Sequence, residues 1–351
     1  MEEGSLAGGR AVGRHGNTAE GRLARLDVLL RLFEPSLFDR THSPKSPEMC
    51  VDVGFGDAIH TFADFAAALS ARREGGSLRV LGTESDPARL AAGLQAMEER
   101  GLGADRSLAL RLAEAGASSF RLPLEPDEPP LVAVRALNVL RDYHPADALR
   151  AMHALGDQLA PGGLLLEGSA STCGHTAAVA LVRAPAAAAA ATAGAAEACR
   201  ALCVEAVAFC VDLDRRQPKL KGMPHRWFSR HLPQIWQHQR TKAAAALGAK
   251  RKRGSLDSPG SGGGGAGGGG GVVGRFLAAW AAVCADEEAR LAAMSPAERG
   301  REDTGPRRRW ERTVAALGGK VGGVDTSDRY VRQGFLVWRP PGGLPLADAA
   351  D

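Results

Sequence analysis

The chain has 351 residues, of which 44% are hydrophobic and 24% are charged, and its formal net charge is +4. This composition is typical of a globular protein, and the charge is well below that of a dedicated nucleic-acid-binding protein. No apolar run reaches ~18 uninterrupted residues, so we expect no membrane-spanning helix and no membrane partner.

The six cysteines form no C-x-x-C pair and have no companion histidines at ligand spacing, so we expect reduced thiols and no metal site. The N-terminus carries Glu2 and Glu3 and has no apolar signal core. We therefore expect an intracellular, cytoplasmic protein, with organelle targeting and nuclear import as open alternatives.

The first element we predict is a helix between Asn17 and Phe38, after a disordered N-terminus over residues 1–17. Its apolar residues recur at helical spacing, and Pro35 marks its end. Such a helix either covers a ligand pocket or packs only as an outer layer of the domain. The sequence favours neither.

The most informative segment is Met49 to Ala58, an apolar run that ends in a glycine turn. Asp52 precedes the turn Gly54-Phe55-Gly56, and a helix is expected after it. Glycines permit positive φ and let the backbone approach a ligand, while the helix start presents N–H groups. The dinucleotide fingerprint would place a third glycine where this chain has Ile59.

A second strand is predicted over Ser77 to Ser85, with Glu84 at its carboxyl end. In nucleotide-binding α/β folds, a carboxylate at this place accepts both hydroxyls of a ribose. Asp86 and Pro87 then predict a capped helix start, and Gly101 predicts its end.

Three further strands follow. The third run, Leu108 to Ala113, leads into Glu114 and Ala115, and the fourth, Leu131 to Leu140, carries Asn138 near its end. A helix over Pro145 to Leu159 and a fifth strand over Leu164 to Ser169 complete the pattern. Strands that alternate with helices at this spacing predict an α/β fold with a mostly parallel sheet.

The segments VDVGFGDA, GTESDPARL, NVLRDYHP and LAPGGLLLEG occur in this order between residues 49 and 170. The ordered set resembles the class I S-adenosylmethionine-dependent methyltransferases. The segment Arg135 to Arg141 has the pattern Arg-x-x-Asn-Val-Leu-Arg, which looks most like one uncharacterised subgroup of that family. Membership of this subgroup would not indicate a substrate. The resemblance implies a Rossmann-like, mostly parallel sheet with a C-terminal antiparallel strand, and S-adenosyl-L-methionine as cofactor.

The resemblance also implies roles for individual residues. Asp52 and the Gly54-Phe55-Gly56 turn would lie along the methionine part of the cofactor, and Glu84 with Ser85 would lie at the ribose. Glu114 and Ala115 would lie near the adenine. Asn138 would face both the sulfonium and the substrate.

Methyl transfer from a sulfonium is an in-line displacement, so the protein mainly aligns the reactants and excludes water. A general base is needed only if the nucleophile must lose a proton. Asn138 and Tyr143 are the candidate catalytic residues, and His144, Glu167 and His175 also lie within reach of the fourth and fifth strands' ends. Because His144 precedes Pro145 at a helix start, we expect it to be a capping or surface residue. For Tyr143, packing is the competing interpretation.

The remaining chain is harder to interpret. Residues 183–198 are nearly all alanine, and Cys203 to Asp212 has strand-like alternation. Lys219 to Gln239 mixes tryptophans and phenylalanine with cations. We favour a lid helix whose aromatic residues pack on the core, and the alternative is a face that binds a nucleic acid or an anionic substrate. Residues 242–271 are expected to form a glycine-rich linker. Its basic run, Lys250 to Arg253, is a solvated loop or a nuclear signal.

Near the C-terminus we predict helices over Arg275 to Met294 and Arg309 to Leu317, then strands over Lys320 to Val324 and Tyr330 to Arg339. The predicted organisation is a Rossmann-like core (18–212), a helical insertion or lid (213–305), closing elements of the core (306–340) and a tail (341–351).

The predicted function is methyl transfer to an unknown acceptor, with a small molecule slightly preferred over RNA or protein. A binding module without transferase activity is the main alternative, and an NAD-dependent oxidoreductase is less favoured.

Overall fold

The computed structural model describes residues 19–38, 47–56, 58–70, 78–113, 119–186, 202–213, 233, 272–302 and 305–346. The helices in these ranges are α1 (Ala24–Phe33), α2 (His60–Ser70), α3 (Pro87–Glu99), α4 (Pro145–Gly156), α5 (Val272–Ala293), α6 (Pro296–Arg301), α7 (Pro306–Lys320) and α8 (Asp328–Val331). The strands are β1 (Glu48–Val53), β2 (Leu78–Glu84), β3 (Leu108–Leu112), β4 (Leu131–Leu137), β5 (Leu164–Ala170), β6 (Thr176–Arg183), β7 (Cys203–Val211), β8 (Val324–Asp325), β9 (Phe335–Trp338) and β10 (Leu344–Pro345).

All ten of these strands belong to one sheet, whose first half is parallel. Its order is β3-β2-β1-β4-β5, and each neighbouring pair in this part is parallel. This is the strand order of a doubly wound Rossmann-type sheet. The predicted α/β fold is therefore confirmed, and the predicted strands in this half agree with β1 to β5 within a few residues.

The second half of the sheet is antiparallel. β6 pairs with β5, β7 with β6, and β9 with β7, while β8 lies outside β9 and β10 also pairs with β7. The antiparallel part of the sheet is therefore larger than the single antiparallel strand that the family resemblance implied. The sequence analysis missed β6, because its segment TAAVALVR is rich in alanine, which has low strand propensity. It is nevertheless a strand, buried between β5 and β7.

Two C-terminal predictions were wrong in their boundaries. Lys320 ends α7 instead of starting a strand, and only Val324–Asp325 pairs with β9. Tyr330 lies in the short helix α8, and the last long strand begins at Phe335. Gly334, with a φ of 80°, separates the two, because it permits the left-handed turn between α8 and β9.

Helices cover both faces of the sheet, and the strands alternate between the two. Met49 and Val51 belong to the hydrophobic cluster on one face, together with α4, α5 and α7, whereas Cys50 between them belongs to the other cluster, with α1, α2 and α8. Successive side chains of a strand point to opposite faces, so β1 contributes to both layers. The result is a sheet buried between two helical layers.

The helix α5 is part of the first of these layers. Phe276 stacks on Trp338 of β9 with ring centroids 4.4 Å apart, and Trp280 meets Phe209 of β7 edge-on at 4.8 Å. All four rings are at most 1% exposed. This part of the predicted 213–305 insertion therefore packs against the sheet.

Several predictions lie outside the described residues. They are the disordered N-terminus (1–17), the alanine-rich run from residue 187 onwards, the linker 242–271 and, apart from Pro233, the aromatic and cationic segment 219–239. The domain boundaries stay predictions. In the part of the chain that the structure describes, no helix is long and apolar enough to cross a membrane.

Candidate functional site

The carboxyl ends of the parallel strands form one edge of the sheet, and the chain reverses its direction of winding there. From β1 the chain continues to β2 and β3 on one side, and then returns to place β4 and β5 on the other. The gap between β1 and β4 is therefore the topological switch point, where open α/β sheets bind ligands.

The glycine turn lies at this switch point. Gly54 has a φ of 71° and Gly56 a φ of 81°. A Cβ on Gly54 would lie 2.8 Å from Cγ2 of Val139, beyond the end of β4, so there is no room for a side chain. Gly54 N donates to Thr83 O of β2 at 2.7 Å. The turn therefore needs glycine for both its conformation and its close packing.

Glu84 ends β2 beside this turn, and the residue is 4% exposed. Its Oε2 accepts from Gly56 N at 3.1 Å, and its Oε1 accepts from Ser85 N at 2.8 Å and Asp86 N at 3.2 Å. Backbone N–H groups thus hold the carboxylate in place. The Ser85 hydroxyl also donates to Oε1, at 3.4 Å. Oε1 thus accepts three hydrogen bonds and Oε2 only one, so the remaining capacity for a ligand hydroxyl lies on Oε2.

The other residues predicted around this part of the site have different environments. Phe55 is 1% exposed and packs against Gly93 of α3, where a Cβ would lie 2.6 Å from its ring. Its side chain belongs to the core. Ser85 is half-buried next to Glu84. Glu114 and Ala115 lie outside the described residues, but Ala113 N donates to Glu84 O at 3.1 Å, so the chain passes the end of β2 just before them.

Asp52 is committed to a buried ion cluster beneath the turn. Arg135 of β4 donates from Nε to Asp52 Oδ1 and from Nη2 to Asp52 Oδ2, both at 2.9 Å. The same guanidinium donates to Asp27 Oδ1 of α1 at 2.7 Å and to Thr61 O of α2 at 2.7 Å, and it lies 4.0 Å above the ring of Phe65. Arg135 therefore ties α1 and α2 to the strand that carries the glycine turn.

This cluster contains one guanidinium and two carboxyl groups, on residues that are each at most 4% exposed. Burial raises the pKa of Asp27 to about 6, with a contribution from the charge of Asp52 and partial compensation by Arg135. The pKa of Arg135 is raised, because both carboxylates favour its charged form more than burial disfavours it. The cluster is therefore sensitive to pH on the Asp27 side.

Asn138 follows β4 directly and adopts a left-handed conformation with a φ of 62°. Its N donates to Gly168 O at 2.8 Å, and its Oδ1 accepts from Ala170 N of β5 at 2.9 Å. Asparagine tolerates this conformation better than most residues. Asn138 thus joins the ends of β4 and β5 at the predicted position.

Tyr143 and His144 lie after Asn138 at the same end of β4. Tyr143 is half-buried and meets Phe120 edge-on with ring centroids 5.6 Å apart. His144 is exposed and caps α4, because its Nδ1 accepts from Ala146 N at 3.4 Å. The capping interpretation of His144 is confirmed, and Tyr143 is positioned by packing.

The structure also places arginines at this edge that the sequence analysis did not assign to the site. Arg22, before α1, donates to Ala170 O at 3.2 Å and to Ser171 O at 3.1 Å. Arg141 donates to Asn138 Oδ1 at 3.5 Å. Arg22 could have been noticed in the sequence, because it lies just before a predicted helix, where the helix dipole disfavours a cation. An arginine at such a position suggests that its side chain has a partner elsewhere.

A second polar group lies further along the edge, above β6 and β7. Asp212 accepts from Arg25 Nη2 of α1 at 2.6 Å and lies 3.3 Å from Nδ1 of His175. His175 was among the residues expected within reach of the fifth strand's end. The apolar side chains of α1 pack on the face of the sheet. Arg22 and Arg25 connect the start of this helix to the carboxyl ends of the strands, through Ala170 and Asp212.

No protein-family model matches the chain, and no curated protein matches it. Among solved structures it is similar to class I S-adenosylmethionine-dependent methyltransferases. One is CalS10, an amino pentose methyltransferase from Micromonospora echinaspora with S-adenosylmethionine bound, at 16% identity and a TM-score of 0.28, over 55% of this chain and 68% of that one.

Two further similar structures are as distant. The cyclase SpnF has 22% identity and a TM-score of 0.30, over 50% of this chain and 54% of SpnF. A protein described as a protein-L-isoaspartate O-methyltransferase from Plasmodium falciparum, in complex with S-adenosyl-L-homocysteine, has 14% identity and a TM-score of 0.30, over 49% and 70% of the two chains. The chain thus spans about half the length of SpnF.

Proposed function

We propose that this protein is an S-adenosylmethionine-dependent methyltransferase that acts on a small-molecule acceptor. The observation that carries the proposal is the pairing of the glycine turn with Glu84. The positive φ angles of Gly54 and Gly56 open the backbone at the switch point, and Glu84 is held 3.1 Å from Gly56 N. A nucleoside-containing ligand with an extended polar tail fits this combination.

The residues present fit the cofactor. Glu84 would accept the ribose hydroxyls, and the backbone of the glycine turn would lie along the methionine part. Glu114 and Ala115 are proposed to lie near the adenine. Asp52 has a supporting role in this proposal, because both of its oxygens bind Arg135. When bound, the cofactor supplies an activated methyl group on a sulfonium.

The protein's own part in the reaction is to position the acceptor and to exclude water. Asn138 lies where β4 ends at the switch point. Its backbone N donates to Gly168 O, and its side-chain Oδ1 accepts from Ala170 N. Tyr143, which packs on Phe120, would form a wall of the acceptor pocket. Both residues therefore act by placement in this proposal, and neither is required to move a proton.

Two other functions use the same pocket. A binding module without transferase activity would keep the glycine turn and Glu84 but would form no methylated product. An NAD-dependent oxidoreductase is less favoured, because Ile59 stands where the dinucleotide fingerprint has glycine and is fully buried at the start of α2. RNA and protein acceptors remain alternatives to a small molecule.

Isothermal titration calorimetry tests the cofactor assignment. The chain should bind S-adenosylmethionine and S-adenosylhomocysteine, and should not bind NAD. Glu84→Ala should weaken binding by roughly 10- to 100-fold, because it removes charge-assisted contacts worth ~1.5–3 kcal/mol. Glu98→Ala is the matched control, since Glu98 is exposed on α3. Equal affinity in the wild type and both variants would refute the assignment.

A further inference from the structure

Two arginine side chains lie near Ala170, at the carboxyl end of β5, one in direct contact with it and the other through Asn138. Arg22 Nη2 donates to Ala170 O at 3.2 Å, and Ala170 N donates to Asn138 Oδ1 at 2.9 Å. The same Asn138 oxygen lies 3.5 Å from Nη1 of Arg141. The two guanidinium groups are therefore brought to one place from distant parts of the sequence.

This arrangement concentrates positive charge. Arg22 is only 6% exposed, and it donates to the carbonyl oxygens of Ala170 and Ser171. Its pKa is lowered, first by burial and then by the charge of Arg141. Like charges repel each other, so a negatively charged ligand would stabilise the pair.

The groups along the same edge have contacts of their own. Asp212 is bound to Arg25 at 2.6 Å and lies 3.3 Å from Nδ1 of His175. Cys173 contributes a thiol 3.8 Å from Ser171 Oγ. The side of the edge next to the arginines therefore holds a compensated ion pair, a histidine and a thiol.

The position of the pair relates it to the acceptor. The proposed cofactor site extends over the ends of β2, β1 and β4. β5 is the next strand on the far side of β4, about 4.8 Å away. A ligand held by Arg22 and Arg141 would thus lie beside Asn138, on the acceptor side of the proposed cofactor site and on the side opposite Glu84.

We propose, on the basis of the proposed function, that the methyl acceptor carries an anionic group, a carboxylate or a phosphate, which binds between Arg22 and Arg141. Each guanidinium is a planar group with several N–H donors, a shape that suits such oxygens. The same chemistry is present in the carboxylate of the cofactor's own methionine, so the test has to separate these two sources.

The test is calorimetric titration of inorganic phosphate into the full chain saturated with S-adenosylhomocysteine, at low ionic strength. The wild type should bind phosphate, and Arg141→Gln should weaken binding at least ~10-fold, since it removes a charge-assisted contact. Arg141→Lys should restore part of the affinity. Arg150→Gln, which removes an exposed arginine of α4, should bind phosphate like the wild type.

The outcomes separate the inference from the proposed function. Unchanged S-adenosylhomocysteine affinity in Arg141→Gln, together with lost phosphate binding, supports an anionic acceptor. If Arg141→Gln weakens S-adenosylhomocysteine binding about 10-fold and phosphate competes with it, the anion is the cofactor's carboxylate and the inference is overturned, while the cofactor assignment stands. No phosphate binding to the saturated chain also overturns it. A chain that binds no S-adenosylhomocysteine refutes the proposed function itself.

Discussion

The buried cluster of Arg135, Asp52 and Asp27 makes a quantitative prediction about Asp27→Asn. In the folded chain the pKa of Asp27 is raised to about 6, against an ordinary value of 3.8. Between these two values the folded state binds more protons than the unfolded state. The free energy of unfolding contributed by this group is therefore largest below pH ~4 and is lost as the pH rises towards 6.

The size of the effect follows from the same two values. One pKa unit corresponds to about 1.4 kcal/mol, so the interval from 3.8 to about 6 corresponds to about 3 kcal/mol. Asp27 is buried, so solvent screening does not reduce this figure substantially. The asparagine in the variant would keep an acceptor oxygen for Arg135, but it would not titrate. The variant should therefore gain about 3 kcal/mol relative to the wild type between pH ~4 and pH ~7.

Urea denaturation at half-unit steps between pH ~4 and pH ~7 measures this difference directly. The other titrating groups are shared, so they largely cancel when the wild-type curve is subtracted from the variant's. Asp286→Asn is a suitable control, because the Asp286 side chain is 72% exposed and pairs with Lys320 at the surface. A difference curve for Asp27→Asn that stays flat over this range would show that Asp27 is not held in the raised-pKa state.

Three further predictions test the fold and the site. Gly54→Ala should lower stability by ~1–2 kcal/mol, measured by denaturant unfolding, because it forces a φ of 71° on a residue with a Cβ; it should also weaken S-adenosylhomocysteine binding. Phe276→Ala should cost ~3–5 kcal/mol in the same measurement, since the ring is buried against Trp338, whereas a small loss would mean that α5 is peripheral. Deleting Ser255 to Gly271 should change the melting temperature little, because loop-closure entropy varies slowly with length.

The parallel half of the fold was accessible from the sequence because its signals are local. Each of β1, β2 and β4 is an apolar run that is followed by residues with a specific conformational role. The predicted helix cap at Asp86 is an example, because its carboxylate accepts hydrogen bonds from Ala88 N and Arg89 N. The meeting of the glycine turn and Glu84 then follows from parallel strand order, since both lie at carboxyl ends.

The antiparallel half was not accessible in the same way. β6 is an alanine-rich segment whose strand conformation is imposed by pairing with β5 on one side and β7 on the other. Tyr330 belongs to a stretch that continues into β9, and only the positive φ of Gly334 separates helix from strand. In both places tertiary pairing decides between conformations that the local sequence leaves nearly equal.

The site residues that sequence analysis missed also depend on long-range contacts. Asp27 and Arg135 are separated by 108 positions in the chain, and Arg22 and Ala170 by 148. No local pattern shows that a helix before the first strand supplies a carboxyl group to a buried arginine of the fourth strand. The role of Asp52 was predicted from its position before the glycine turn. The sequence around it gives no sign of its contact with Arg135, which is 83 positions away.

These contacts give α1 a function that neither of the two sequence-based alternatives described fully. Its body is fixed through Asp27 and Arg135 to Asp52 of β1, two residues before the glycine turn. The residues before it are fixed to the carboxyl end of β5 through Arg22. A change that loosens the body should therefore displace the start, because little more than one helix turn joins the two. The stability of the buried ion cluster and the geometry of the proposed anion site therefore both depend on the position of α1. Asp27→Ala changes neither of the two arginines that would hold the anion. Weaker phosphate binding in this variant would therefore show that the buried ion cluster and the proposed anion site are coupled through α1.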